Sequence, residues 1–198
     1  MLVSYIKSSE FPSQCPSDGL PEYAFIGRSN VGKSSLINML AGNSKLSKVS
    51  GTPGKTKLIN HFLVNKSWYM VDLPGYGFAK TSKSARQQFS SIITRYIGER
   101  DSLSLLFVLI DARREPQSID LAFIRQLGER GVPFALVFTK ADKVSAAERR
   151  ANVERFRRTL LLTWEELPPI FVTSSEKKVG GEEIIAYIEH INKSLQKQ

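Results

Sequence analysis

Eight consecutive residues, "GRSNVGKS" from Gly27 to Ser34, carry the spacing G-x-x-x-x-G-K-S, a pattern with a specific physical use. Gly27 and Gly32 let the backbone turn tightly, so that successive N–H groups along Arg28, Ser29, Asn30 and Val31 point into one concavity fit for an anion. Lys33 supplies a point charge for the β- and γ-phosphates of a nucleotide, and the Ser34 hydroxyl can ligate Mg²⁺. The apolar run "PEYAF" before the loop and the helical pattern "SLINMLAG" after it give the strand–loop–helix setting this chemistry requires. That setting also puts a helix N-terminus, with its unpaired donors and positive dipole end, against the phosphates.

A metal and a terminal phosphate need more than one loop. "VDLPG", Val71–Gly75, ends an apolar run with Asp72 and places Gly75 three residues on, across Leu73 and Pro74. Asp72 can hold the metal through water, and the Gly75 N–H can approach a γ-phosphate because no Cβ intervenes. The base is read by "TKAD", the run Thr139, Lys140, Ala141, Asp142. A carboxylate only accepts hydrogen bonds, and guanine offers two adjacent donors, N1–H and the 2-amino group. Adenine offers no such pair, and a buried carboxylate facing it would go unpaired, a penalty that can discriminate by about 10⁴-fold or more. Lys140 can lay its aliphatic stem along the base. Further on, "TSS" at Thr173, Ser174 and Ser175 can turn a backbone N–H toward the guanine O6.

These motifs need a scaffold that brings strand ends together, and the chain reads as one. Glu22–Gly27 is a strand and Lys33–Ala41 a helix closing near Gly42-Asn43. "LINHFLV" and "SWYMVDL" flank Asn65-Lys66 as a hairpin. A helix over about Ser84–Glu99, a strand at "LLFVLID", a helix over Ser118–Arg130, the strand "PFALVFT", a basic helix over Ala146–Leu162, the strand "IFVTS" and a helix from Glu182 complete the order. Two polar stretches, Asn43–Lys57 and Pro74–Lys83, read as loops. Strands alternating with helices predict an α/β fold: a mostly parallel six-stranded sheet with one antiparallel edge hairpin and helices on both faces. Ligands of such sheets sit at the carboxyl ends of strands, where all three motifs fall. Residues 1–20 read as a loosely held N-terminal arm and 21–198 as a single domain.

At 198 residues with 41% hydrophobic and 24% charged residues, the chain can bury a sizeable core. Its single cysteine, Cys15, excludes an internal disulfide and reads as an inert thiol. The N-terminus lacks the pattern of a signal peptide. The longest apolar run, Leu103–Ile110, is far short of the roughly 20 residues of a membrane helix. No membrane span and a cytoplasmic location are therefore expected, and nothing demands more than a monomer. The net charge of +9 favours a polyanionic partner.

With "GRSNVGKSSLIN", "GTPGKTKLINHF", "DLPGYGFA" and "FTKADK" in view, the chain resembles the EngB (YihA/YsxC) family of bacterial GTPases over essentially its full length. Thr139 stands where a general GTPase more often carries Asn, and Thr is what that family shows. The resemblance implies a Ras-like P-loop GTPase domain binding GTP or GDP with Mg²⁺, with Asn43–Lys57 and Pro74–Lys83 as switch loops. From the residues alone, either Thr52 or Thr56 could give the second Mg²⁺ hydroxyl; the family's P-G-x-T pattern selects Thr56. Gly54, Lys55, Lys57 and Leu58 would then lie beside the nucleotide. The metal set is thus Ser34, Thr56 and Asp72, and the residues closest to the chemistry are Lys33, Thr56, Gly75 and Asn30.

Asn30 matches a position that in related GTPases helps hold K⁺, an ion that stands in for an arginine finger. Tyr76 replaces the glutamine that many GTPases use to orient water, so slow intrinsic hydrolysis is expected. The resemblance further implies large ribosomal subunit assembly, with rRNA backbone as partner, and a link to cell division and septation. A nucleotide kinase is the weaker alternative: it needs an acceptor pocket with an Arg-rich lid and has no use for "TKAD". A septation switch with little hydrolysis and no RNA contact is the stronger one. Bland readings suffice for Trp68 and Trp164, as core or rim packing, and for His61 and His190, which have no metal-ligand partner at useful spacing. The arginines of "ERRANVERFRRTL" read first as a solvated helix face paired with Glu148 and Glu154.

Overall fold

Strict period-two alternation decides which side chains each strand sends to which face. Tyr23 and Phe25 pack into one buried cluster while Ala24 and Ile26 enter the other; Leu105, Phe107 and Leu109 likewise oppose Leu106, Val108 and Ile110. The computed structural model describes residues 1–47, 58–76 and 83–196, with the backbone alone over 83–90. Thr52, Gly54, Lys55, Thr56 and Lys57, expected to line the nucleotide, lie outside the described residues, as does 77–82 of the second loop.

Among the described residues, seven strands form one sheet: β1 (Val3–Ser9), β2 (Glu22–Gly27), β3 (Ile59–Val64), β4 (Trp68–Asp72), β5 (Leu103–Asp111), β6 (Phe134–Thr139) and β7 (Ile170–Val172), in the order β1-β3-β4-β2-β5-β6-β7. Helices α1 (Lys33–Ala41) and α5 (Gly181–Leu195) cover one face. Helices α2 (Lys83–Glu99), α3 (Ser118–Glu129) and α4 (Ala146–Leu161) cover the other. β2, β4, β5, β6 and β7 are mutually parallel, and β3 runs antiparallel to β1 and β4. The parallel strands therefore all end on one edge of the sheet, at Gly27, Asp72, Asp111, Thr139 and Val172.

The expected α/β sheet is present, with seven strands rather than six. The extra strand is β1, so the N-terminal arm is not loosely held. Val3 to Ser9 pair with Val64 to Ile59, and Asn65 locks the corner: its N–H donates to Leu2 O at 2.8 Å, and its Oδ1 accepts from Leu2 N at 2.9 Å. The hairpin turn is as the sequence suggests. Asn65 and Lys66 have φ of 48° and 56°, the left-handed pair at the centre of a turn that Ser67 N closes by donating to Val64 O at 2.9 Å.

At the far end of the sheet from those strand termini, a buried polar cluster ties the arm down. Glu22, at the start of β2, accepts from Tyr96 and Arg100, and Arg100 also donates to Pro16 O at 2.8 Å. Trp68 is buried in the core, and Trp164 packs edge-on against Phe134 over Gly128, as the packing reading expects. Cys15 is buried, and burial pushes its thiol up, in line with an inert role. His61 is fully buried and faces Glu22 at 3.3 Å, a more specific place than its sequence context suggests.

Candidate functional site

From β2 the chain passes through α1 to β3 and β4 on one side and then crosses by α2 to β5 on the other, so the crevice beyond the end of β2 is the switch point of the sheet. The loop Gly27–Gly32 occupies it. Gly27 lies so close to β5 that a Cβ there would meet Leu109 Cβ at 3.0 Å and Val31 Cγ1 at 2.8 Å. Asn30 and Gly32 take positive φ, 60° and 104°, which turns the chain sharply before α1 starts at Lys33. Arg28, Ser29, Val31 and Ser34 fill the rest of the turn and the first residues of α1.

The structure brings the other motifs to this loop. Lys33 pairs with Asp72 at the end of β4; the carboxylate is 2% exposed and also accepts from Ser47 Oγ at 3.2 Å. Ser47 is held in turn by Asn38 of α1, whose Oδ1 accepts from Ser47 N at 2.7 Å and whose Nδ2 donates to Ser47 O at 2.9 Å. Neither Asn38 nor Ser47 belongs to a motif; the available signal is the lone Asn38 within the apolar run "SLINMLA". Leu73, Pro74 and Gly75 are buried beside the loop, with Leu73 N donating to Phe25 O and Tyr76 N to Gly27 O, each at 3.1 Å. Leu58 is half-buried just before β3.

Thr139 ends β6 and braces the loop: its Oγ1 donates to Val31 O at 2.6 Å and lies 3.2 Å from Ile110 O. Lys140, with φ 58°, reaches back over the loop to Asn30 O at 2.5 Å and to Asp111 Oδ2 at 3.3 Å. Its stem passes 3.7 Å from where a Cβ on Gly32 would stand. Ala141 N donates to Thr173 O at 3.1 Å, joining this motif to the last strand. Asp142 accepts from Ser174 Oγ at 2.5 Å and lies 3.3 Å from Lys143 Nζ. The Ser174 hydroxyl is the main cause holding its carboxyl below the usual range, so it is ionised at neutral pH.

Within "TSS" the geometry narrows the expectation. Thr173 is fully buried, its N–H and hydroxyl both directed to Phe138 O at 2.7 and 3.1 Å. Ser174 N donates to Val179 O at 3.0 Å. Both amides are engaged within the fold in this structure, and the Ser175 amide is the one of the run without such a partner among the described residues.

Beside the loop a cleft of about 370 Å³ is lined by Arg28, Asn30, Asp111, Arg113, Asp120 and Lys140, among others. The α4 arginines are largely engaged. Arg157 and Arg158 approach Glu154 at 3.6 and 3.1 Å, Arg155 pairs with Glu115 rather than Glu148, and Arg149 donates to Ala141 O at 3.2 Å. Such exposed pairs contribute little to stability.

Comparison with known proteins agrees with this geometry. A family described as 50S ribosome-binding GTPase matches residues 22–140. Probable GTP-binding protein EngB of Porphyromonas gingivalis is 57% identical over 193 residues, covering 98% of this chain and 96% of that protein. The protein of the same name from Phocaeicola vulgatus is 58% identical over the same shares. Among solved structures, a probable GTP-binding protein engB superposes with TM-score 0.70 at 22% identity, over 87% of this chain and 99% of that one. A single-residue variant of Aquifex aeolicus Era bound to GDP and aluminium fluoride gives 0.68 at 23% identity, over 85% and 56%. At those identities the structural likeness speaks for the fold.

Proposed function

Because the chain belongs to the EngB family of GTP-binding proteins, we propose that it is a slow GTPase switch acting in assembly of the large ribosomal subunit and needed for normal cell division. The observation that carries the nucleotide reading is the convergence of Lys33, Asp72 and the Asp142 carboxylate on one sheet edge around the Gly27–Gly32 loop.

Residue roles follow from that placement. The amides of the loop and Lys33 take the phosphates. Lys33 and Asp72 pair with each other beside the loop; with a nucleotide bound, Lys33 would supply the charge for the phosphates and Asp72 would be one of the residues holding the cation. A buried carboxylate beside the first turn of α1, where Ser34 follows Lys33, is a hard-oxygen donor set that fits Mg²⁺; Ser34, Asp72 and Thr56 would hold it. When bound, the ion neutralises charge on the β- and γ-phosphates. Asp142, kept ionised and aimed by Ser174, takes N1–H and the 2-amino group of guanine, with Lys140 along the ring and the Ser175 amide toward O6. Gly75 senses the γ-phosphate, and Gly54, Lys55, Lys57 and Leu58 would lie beside the nucleotide. Asn30, in its left-handed conformation at the loop tip, is the candidate K⁺ ligand.

Switch loops ordered by a γ-phosphate and released on hydrolysis present two surfaces to a partner. The description of the matching family, a 50S ribosome-binding GTPase, and the net charge of +9 support a large-subunit partner bound through rRNA backbone. With the α4 arginines mostly ion-paired, contact by overall charge and shape fits better than a dedicated basic helix. No described helix is long and apolar enough to cross a membrane, which is compatible with a cytoplasmic monomer.

Cosedimentation with large ribosomal subunits in GDP and in a non-hydrolysable GTP analogue, at graded salt, tests the partner. Association that depends on nucleotide and weakens with salt is expected. Absence of binding in both states would favour the second reading, a septation switch without RNA. That reading draws support from Tyr76, whose hydroxyl is engaged by Asp120 at 2.8 Å and which offers no glutamine-like amide to water.

A further inference from the structure

The residue after Gly75 is held from three sides. Its backbone N–H donates to Gly27 O at 3.1 Å, and it bridges Arg28 in parallel register. Its ring stacks on Phe123 of α3, centroids 4.5 Å apart and planes inclined by 24°. Its hydroxyl donates to Asp120 Oδ1 at 2.8 Å. Asp120 is 4% exposed in the first turn of α3, where the positive end of the helix favours a carboxylate. Burial and the adjoining Asp120 push the Tyr76 hydroxyl well above its ordinary range, so it remains a donor at physiological pH. On the other side of Gly75, Leu73 N is fixed to Phe25 O at 3.1 Å. The glycine expected to read the terminal phosphate is thus suspended between two anchors, one of which is a side-chain clasp on α3.

We propose that Asp120 and Phe123 are positioning residues: through Tyr76 they hold the Gly75 N–H in register with the phosphate loop, so that preference for a triphosphate over a diphosphate depends on this clasp. The proposal rests on the reading of Gly75 as the γ-phosphate contact. It gives Tyr76 a role other than orienting water, and it makes α3, far from both switch loops in sequence, part of the nucleotide-state sensor. Interactions of this kind act on the difference between two ligands, because only the triphosphate uses the amide being positioned.

The test is the ratio of affinities for a non-hydrolysable GTP analogue and for GDP, measured with Mg²⁺ by fluorescent-nucleotide displacement, alongside thermal unfolding of the nucleotide-free protein. Tyr76→Phe keeps the stack and removes the donor; Asp120→Ala removes the acceptor; Asp120→Asn restores an acceptor oxygen. Tyr76→Phe and Asp120→Ala should each lower the triphosphate-to-diphosphate affinity ratio about tenfold. Asp120→Asn should hold it within about threefold of the parent. If Asp120→Ala does not fold, Tyr76→Phe decides alone. Equal weakening of both nucleotides with a lowered unfolding midpoint would make the clasp merely structural and overturn the proposal. Gly75→Ala separates the two levels. A ratio unmoved by Gly75→Ala overturns the γ-phosphate reading and the clasp with it. A ratio that falls with Gly75→Ala but not with Tyr76→Phe or Asp120→Ala overturns the clasp alone.

Discussion

Glu22→Gln should change how the protein responds to acid. The Glu22 side chain is 1% exposed at the start of β2, facing His61 at 3.3 Å and accepting from Tyr96 and Arg100. Burial alone would raise its pKa. The His61 contact, Arg100 and Tyr96 outweigh burial and bring it down to about 2, from 4.5 for the free side chain. A carboxyl with a depressed folded-state pKa stabilises the fold above its unfolded value and loses that contribution as pH falls toward the folded value. At 1.36 kcal/mol per pKa unit the full contribution is about 3 kcal/mol, of which about 2 kcal/mol is gone by pH 3. The assay is urea unfolding followed by tryptophan fluorescence at pH 6, 4 and 3, for parent and Glu22→Gln. Glutamine keeps the shape and the acceptor oxygen but cannot titrate, and other depressed carboxyls such as Asp111 and Asp142 cancel in the difference. The parent's advantage over the variant should shrink by about 2 kcal/mol between pH 6 and pH 3. Curves that stay parallel over that range would refute the reasoning.

Three further outcomes follow from the site. Lys33→Ala strands the buried Asp72 carboxylate with Ser47, so it should cost about 1–3 kcal/mol in the nucleotide-free protein by denaturant titration, besides weakening nucleotide binding. Thr139→Val leaves Val31 O without its donor, and nucleotide affinity should fall by about tenfold in calorimetric titration while the strand itself persists. GTP hydrolysis should run faster in K⁺ than in Na⁺, and Asn30→Ala should abolish the difference; equal rates for the parent in both salts would remove Asn30 from the mechanism.

Much of this architecture is legible in the chain because its signals are local. Period-two apolar runs, Gly42 after α1 and Asn65-Lys66 between β3 and β4 each report on a few neighbouring residues, and the elements lie where those signals stand. β1 escaped because it is an edge strand: from Ser4 to Lys7 its side chains are exposed, so burial imposes no alternation, and what holds it is backbone pairing with β3. The links within the site escaped for a different reason. Thr139 to Val31, Tyr76 to Asp120 and Ser47 to Asp72 join residues 108, 44 and 25 positions apart, and nothing in either local sequence marks the partner. "TSS" shows the same limit in reverse. Its composition permits three donors, and only the fold reveals that the Thr173 and Ser174 amides are already spent on Phe138 and Val179.

The central claim, that a guanine nucleotide is recognised by the Asp142 carboxylate, is tested most directly by nucleotide competition on the parent and on Asp142→Asn. The parent should bind GTP and GDP and exclude ATP. The variant should lose about 10²-fold in GTP affinity, the worth of two hydrogen bonds to a charged acceptor, while its fold persists. ATP competing as well as GTP on the parent, or a guanine preference untouched by Asp142→Asn, would contradict the account.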